Sequence, residues 1–251
     1  MSTLVQVTNL NKTYGPRVIF DHATLTIAAK QKIGVIGRNG AGKSTLVRMI
    51  VGDEEWDSGT IDIHDGTRLG YVQQHDPFAP TDTVGDFLHT ASGKPDWECA
   101  KMAARFQLGK EYLTKAIGSL AGGYQMRVKL CGMLLKDPNL LLLDEPTNYL
   151  DVATQILLEQ FLQDWRGAFL VVSHDREFLK NTCTETLEVD QGKLDLYPGP
   201  LEDYLDYKAQ QLDMAKRFNK KVEREKQHLQ SFVDRFRYKD SKAAQAQSKL
   251  K

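Results

Sequence analysis

The sequence has 251 residues, 41% hydrophobic and 26% charged, which is enough for one large core with an appendage. It contains no run of about 18 apolar residues, no apolar leader segment at its start, and three cysteines at unrelated spacings, so a membrane span, a secreted disulfide framework and a cysteine metal site are not expected. The equal totals of 33 basic and 33 acidic residues hide an asymmetry: from Lys208 onward there are 13 Lys and Arg against 5 Asp and Glu, which leaves 20 against 28 before it, an acidic body with a basic tail.

In chain order, LVQVTNL (4–10) and TLTI (24–27) read as strands of an antiparallel layer. KIGVIG (32–37) is apolar and β-branched, the pattern of a central strand covered on both faces, and it leads through GRNGAGKST into a helix over about 43–51. GTIDIH (59–64) and RLGYVQQ (68–74) give two more strands. Between about 76 and 137 the strand signal fades, and an inserted helical subdomain is predicted. NLLLLDE (139–145) and AFLVVSHD (168–175) return to buried strands, and ETLEVDQGKLDLYPG (185–199) reads as a hairpin turning at Gln191-Gly192. The fold class is therefore α/β, a mixed sheet core with an antiparallel β layer and an inserted helical subdomain. The predicted division is a domain over 1–205 and a basic helical segment over 206–251. In that segment Leu212, Phe218, Val222, Leu229, Phe232 and Phe236 recur at helical multiples, and no Gly or Pro interrupts a continuous helix predicted over 205–238.

Gly37-Arg38-Asn39-Gly40-Ala41-Gly42-Lys43-Ser44, followed by Thr45, matches the phosphate-loop pattern GxxxxGK[ST]. Glycines let successive N–H groups turn toward phosphate oxygens, and the helix that follows adds its positive end. Lys43 is then placed for the β- and γ-phosphates of ATP, and the Ser44 hydroxyl for Mg²⁺. The second element is Leu140–Glu145, a buried strand ending in two acids. Asp144 is the candidate second Mg²⁺ ligand, and Glu145 the candidate to orient and polarise an attacking water. Weaker signals accompany these. LAGGYQ, Leu120 to Gln125, sets paired glycines before a predicted helix, which is an anion-binding start or a plain turn. His174 follows a buried strand and faces either the γ-phosphate or the core. Gln74, rather than Gln73, is the candidate sensor of metal and water, the alternative being a solvated strand end. Tyr14 is a stacking partner for adenine or a core residue.

In this order, phosphate loop, Gln, Gly-Gly helix, Asp-Glu strand and His resemble the ATP-binding cassette superfamily, with phosphate-loop NTPase architecture. EPTNYLD (145–151), with Asn148 and Tyr149 where transporter cassettes usually carry Ser-Ala, together with SHDR (173–176), is similar to subfamily F, soluble and usually twin-cassette proteins that act on ribosomes. The tail, SFVDRFRYKDSKAAQAQSKLK, is similar to the linker between their two cassettes. The resemblance implies that two cassettes sandwich two ATP molecules. One ATP is served by Lys43, Ser44, Asp144, Glu145, Gln74 and His174. The other is capped by Leu120, Ala121, Gly122, Gly123 and Tyr124, with Asp151 at the dimer seam. It implies a cytoplasmic protein whose partners are a second cassette, in the same polypeptide or in a second copy, and the ribosome with its rRNA or tRNA, reached through the basic linker, with no membrane contact. The chain reads as the first half of a longer protein, with weak turnover of its own. The rival implication is the ATPase subunit of a membrane transporter. Ala121 departs from the family, which has Ser there; loss of that hydroxyl's bond to the opposite γ-phosphate, about 1.5–3 kcal/mol for a charge-assisted bond, implies slow turnover at that site. Tyr124 replaces the commoner Gln or acidic residue.

Overall fold

The structure, a computed structural model, describes residues 2–72, 77–148 and 150–248, with side chains through 227 and at Ser231. Contacts divide the chain into two compact units, Met1–Glu202 and Asp203–Lys251.

In the first unit, β1 (Thr3–Tyr14), β2 (Arg17–Ala28) and β4 (Ser58–Ile63) form an antiparallel sheet in the order β2-β1-β4. A second sheet has the order β5-β6-β7-β3-β8-β9, built from β3 (Lys32–Gly37), β5 (Leu69–Val72), β6 (Leu140–Asp144), β7 (Ala168–Val172), β8 (Glu185–Asp190) and β9 (Lys193–Tyr197). Its first five strands are parallel, and β9 closes the edge as an antiparallel hairpin partner of β8.

Every residue of β6 and β7 is buried, because the sheet is covered on both faces. The two-residue period of a strand sends neighbours to opposite sides. Leu140, Leu142, Leu170 and Val172 join a core with the antiparallel sheet and the helix α1 (Lys43–Val51). Leu141, Leu143, Phe169 and Val171 join a second core with α5 (Gly122–Leu134), reached through α2 (Val84–Ser92), α3 (Asp96–Arg105) and α4 (Lys110–Leu113). Burying each such side chain is worth roughly 1.5–3 kcal/mol, so the sheet is the rigid floor of the unit. Helix α6 (Val152–Asp164) connects β6 to β7, and α7 (Arg176–Thr182) connects β7 to β8.

Strands β1 and β2 run longer than their sequence pattern indicates. Register shifts fall at Val7/Leu10, Leu10/Lys12 and Lys12/Thr13, and Asn9 and His22 both adopt φ 49°. These bulges break the alternation of apolar and polar residues that marks a strand. The hairpin β8–β9 turns at Gln191 (φ 47°) and Gly192 (φ 79°), the paired left-handed geometry that two-residue loops favour.

The described residues of the second unit all belong to α8 (Leu201–Ser248). At 1.5 Å per residue the 48 residues of α8 extend for about 72 Å. The helix continues past the predicted end at 238 because residues 239–248, KDSKAAQAQS, include helix formers and no Gly or Pro. The side chains of Leu229, Phe232, Phe236 and Tyr238 lie outside the described residues.

Candidate nucleotide site

Strands β6, β7 and β3 are adjacent and parallel, with Asp144 opposite Val172 and Val172 opposite Val35. Their carboxyl ends therefore share one edge of the sheet, where α/β proteins bind ligands. The loop from Gly37 to Gly42 leaves β3 at this edge. Gly37 has φ 149°, and a Cβ there would lie 2.4 Å from the Val189 carbonyl oxygen. Gly42 has φ 113°, and a Cβ there would come within 2.6 Å of the Ile19 side chain. No other residue fits either position without moving a strand. Ala41 N–H donates to the Arg38 carbonyl at 3.1 Å, which curls the loop before α1 begins at Lys43.

Lys43 is 7% exposed, and its Nζ donates to the Gly37 and Arg38 carbonyls at 3.0 and 3.2 Å. Burial holds its pKa below the ordinary lysine value, against the opposing charges of Glu145 and Asp144. The Ser44 hydroxyl donates to Asp144 Oδ1 at 2.9 Å. Asp144 is 7% exposed, and burial pushes its carboxyl above the usual range, moderated by Ser44, Arg48 and Lys43. A buried carboxylate that its neighbours only partly compensate, touching a hydroxyl oxygen, fits a divalent cation that prefers oxygen ligands and completes its shell with substrate phosphates and water. Glu145 takes φ 50°, a left-handed conformation rare for a non-glycine residue, while its N–H donates to the Val172 carbonyl at 2.9 Å. His174, two residues past β7, brings Nε2 to 3.3 Å from Glu145 Oε1. Tyr14, Arg17, Asn39, Lys43, Glu145 and His174 all line one open cavity of about 520 Å³, with Ser44 and Thr45 in its wall. The geometry is that of a polyanion cradle with a carboxylate at its far side.

A family model described as ABC transporter matches residues 20–148, and a second with the same description matches 187–251. The chain is 32% identical to the probable ATP-binding protein YheS of Escherichia coli, over 94% of this chain and 42% of that one. It is 38% identical to the energy-dependent translational throttle protein EttA of Escherichia coli, over 83% of this chain and 39% of that one. Among solved structures, an ATP-binding subunit of an ABC transporter superposes with a TM-score of 0.69 at 22% identity, covering 80% of this chain and 91% of that one. The chain is an ATPase cassette of the ATP-binding cassette family. It spans about two fifths of the length of the curated relatives it matches.

Residues Leu120–Tyr124 of the cassette do not line this cavity. They form the entry to α5, whose N-cap Ala121 makes no side-chain bond. Gln125 Nε2 donates back to the Leu120 carbonyl at 2.8 Å and fixes the turn before the glycines. Asp151 caps α6, accepting from Thr154 N–H at 2.7 Å. Gln73, Gln74 and Tyr149 lie outside the described residues. No helix among the described residues is long and apolar enough to cross a membrane.

Two arginines of the cavity have no place in the sequence motifs. Arg17 Nη2 donates to the Gly40 carbonyl at 2.6 Å and braces the phosphate loop. Arg48 follows Ser44 by four residues on α1, a helical spacing that puts the two on one face. That spacing was available in the sequence; the approach of Arg17 depends on the β1–β2 turn and was not. Asn148 lies in the EPTN segment and reaches the cavity beyond Glu145. Tyr14 is 43% exposed, and the Lys12 ammonium lies 4.7 Å from its ring centroid. Lys12 is in turn fixed by Glu54 at 2.7 Å.

Proposed function

We propose that the cassette binds ATP with Mg²⁺ in this cavity and hydrolyses it when a second cassette lays its own α5 entry over the γ-phosphate, and that this cycle gates attachment of a cytoplasmic protein to the ribosome. The observation that carries the reading is the 2.9 Å contact between Ser44 and Asp144, with Glu145 next in the chain on the same cavity wall. Backbone N–H groups of residues 38–44 and the Lys43 ammonium bind and orient the triphosphate, and one face of Tyr14 receives the adenine. Ser44, Asp144 and Gln74 would hold Mg²⁺, which would supply charge neutralisation to the β- and γ-phosphate oxygens. Glu145 positions a water in line with the γ-phosphorus and takes its proton; phosphate leaves, and the bridging oxygen stays with ADP. His174 holds the Glu145 carboxylate in that orientation from 3.3 Å. Leu120–Tyr124 do not line the cavity, which supports a composite site in which this α5 entry caps a second ATP.

Support for the ribosomal target is the name of the relative EttA, a translational throttle, and the basic tail. The rival reading, the ATPase subunit of a membrane transporter, draws on the description of the matched family. The test is a Glu145→Gln variant. Turnover is expected to fall by roughly 10²–10⁴-fold with ATP affinity retained, as for loss of a positioned base. Unchanged turnover sinks the assignment, and membrane co-purification in place of ribosome co-sedimentation favours the rival.

A further inference from the structure

Gly123 is pressed against the start of α6. A Cβ on it would lie 2.9 Å from Asp151 Oδ2 and 3.0 Å from Thr154 Oγ1. One turn along α5, Arg127 is only 4% exposed and sends Nε and Nη2 to the same Thr154 hydroxyl at 3.1 and 2.9 Å. Its remaining Nη1 makes long contacts of 3.4 Å to the Phe106 carbonyl and to Gln107 Oε1. Thr154 N–H also donates to Asp151 Oδ1 at 2.7 Å; the backbone and side chain of Thr154 hold that carboxyl below its usual range, with the Arg127 charge adding to the effect. One residue, Thr154, thus ties a buried guanidinium, through its hydroxyl, to an exposed carboxylate at the turn before α6, through its backbone N–H.

The other side of Arg127 is closed by aromatic rings. Its guanidinium lies 4.8 Å from the Tyr124 ring centroid. Tyr124 stacks on Tyr112 at 4.8 Å and 18°, and the Lys115 ammonium lies 4.5 Å from Tyr112. This column of cation, two rings and cation restrains Arg127 from the solvent side. Next to this junction Ala121, Gly122, Asp151, Val152 and Ala153 are exposed, Val152 to 74%. The α5 entry and the Asp151 turn therefore form one joined edge.

We propose that Arg127 is a positioning residue that, through Thr154, locks the α5 entry to the Asp151 turn, so that the segment following Asp144 and Glu145 and the surface offered to the second ATP move as one piece. This rests on the two-cassette reading above. Occupancy of one ATP site is then felt at the other, because β6 and its acids lead directly into the turn that α5 grips.

The test measures turnover against protein concentration, with Mg-ATP as ligand, for the parent chain and for Arg127→Lys, Thr154→Val and Thr154→Ser. ATP-driven self-association is measured for the same set in a Glu145→Gln background. Arg127→Lys and Thr154→Val are expected to lower kcat at saturating protein by about tenfold, the scale of small misplacements at a reacting centre. ATP affinity of the dilute chain should stay within twofold. Thr154→Ser, which keeps the hydroxyl, should restore kcat, a rescue that a merely structural loss would not show. The proposal is overturned if Thr154→Val keeps the parent kcat, if Thr154→Ser fails to restore it, or if the loss follows ATP affinity or folded fraction. If the parent itself shows no concentration-dependent turnover and no ATP-driven self-association, the two-cassette reading fails, and this inference fails with it; a parent that passes beside indifferent variants sinks this inference alone.

Discussion

Asp144 and Lys43 are both buried at the cavity edge, and burial weakens the charged form of each. For Asp144 the sign follows from its raised folded-state pKa. Between the ordinary carboxylate value and that raised value the folded chain binds more protons than the unfolded one, so stability declines as pH rises through this window. At neutral pH the empty site carries a buried anion that costs stability. Asp144→Asn is therefore expected to raise the melting temperature of the nucleotide-free chain at pH 7 and to flatten its acid dependence. The same variant should lose the extra stabilisation that Mg²⁺ adds to ATP. Thermal melts over pH 4–7, with and without Mg-ATP, decide it; a lower melting temperature for the variant at pH 7 would contradict the account. Lys43→Ala is expected to weaken ATP binding at least tenfold by titration, since it removes the ammonium held against the Gly37 and Arg38 carbonyls of the loop. At this scale the motifs were legible because their chemistry is local in sequence: Lys43 and Ser44 sit side by side, as do Asp144 and Glu145. Arg17 was not legible, since its contact with Gly40 spans 23 residues and arises only when β1 and β2 pair.

Among the elements, α5 enters without a capping side chain, although Ala121 holds the extended geometry of an N-cap, φ −63° and ψ 151°. Ala121→Ser would place a hydroxyl where it can accept from the free N–H groups of the first turn. A gain of roughly 0.5–2 kcal/mol in stability is expected from the cap alone. In the two-cassette reading the same hydroxyl also faces the second ATP and raises turnover. Melting and steady-state ATPase rates separate the two effects; a higher melting temperature with unchanged turnover would mean that the hydroxyl serves only the helix. The paired glycines were legible as a helix start, but the approach of Gly123 to Asp151 and Thr154 was not, because a close approach between two helices leaves no local trace at either. The same reasoning covers the strands. β3, β6 and β7 announce themselves because burial on both faces makes them uniformly apolar, whereas the bulges at Asn9 and His22 hid the length of β1 and β2.

For the molecule as a whole, the decisive quantity is where charge sits. The body before Lys208 is acidic and the tail is basic, so a polyanion is repelled by one and drawn to the other. On α8, Lys216, Lys220 and Lys221 are exposed along a helix with no Gly or Pro to bend it. Each cation seated on an RNA phosphate releases counterions, and the logarithm of the affinity falls with the logarithm of salt by a slope of about 0.7–0.9 per contact. If ATP closure presents this helix to the ribosome, the Glu145→Gln chain should co-sediment with ribosomes when Mg-ATP is present. Raising salt from about 50 to 200 mM should release it steeply, by roughly 10³-fold or more if six or more phosphates are engaged. Replacing Lys216, Lys220 and Lys221 by Gln should reduce that slope by about two to three without altering ATP affinity, since all three follow the cavity residues by more than 40 positions and belong to the other compact unit. Binding that ignores both ATP and salt would separate the basic helix from the nucleotide cycle and leave the cassette as an ATPase with some other load.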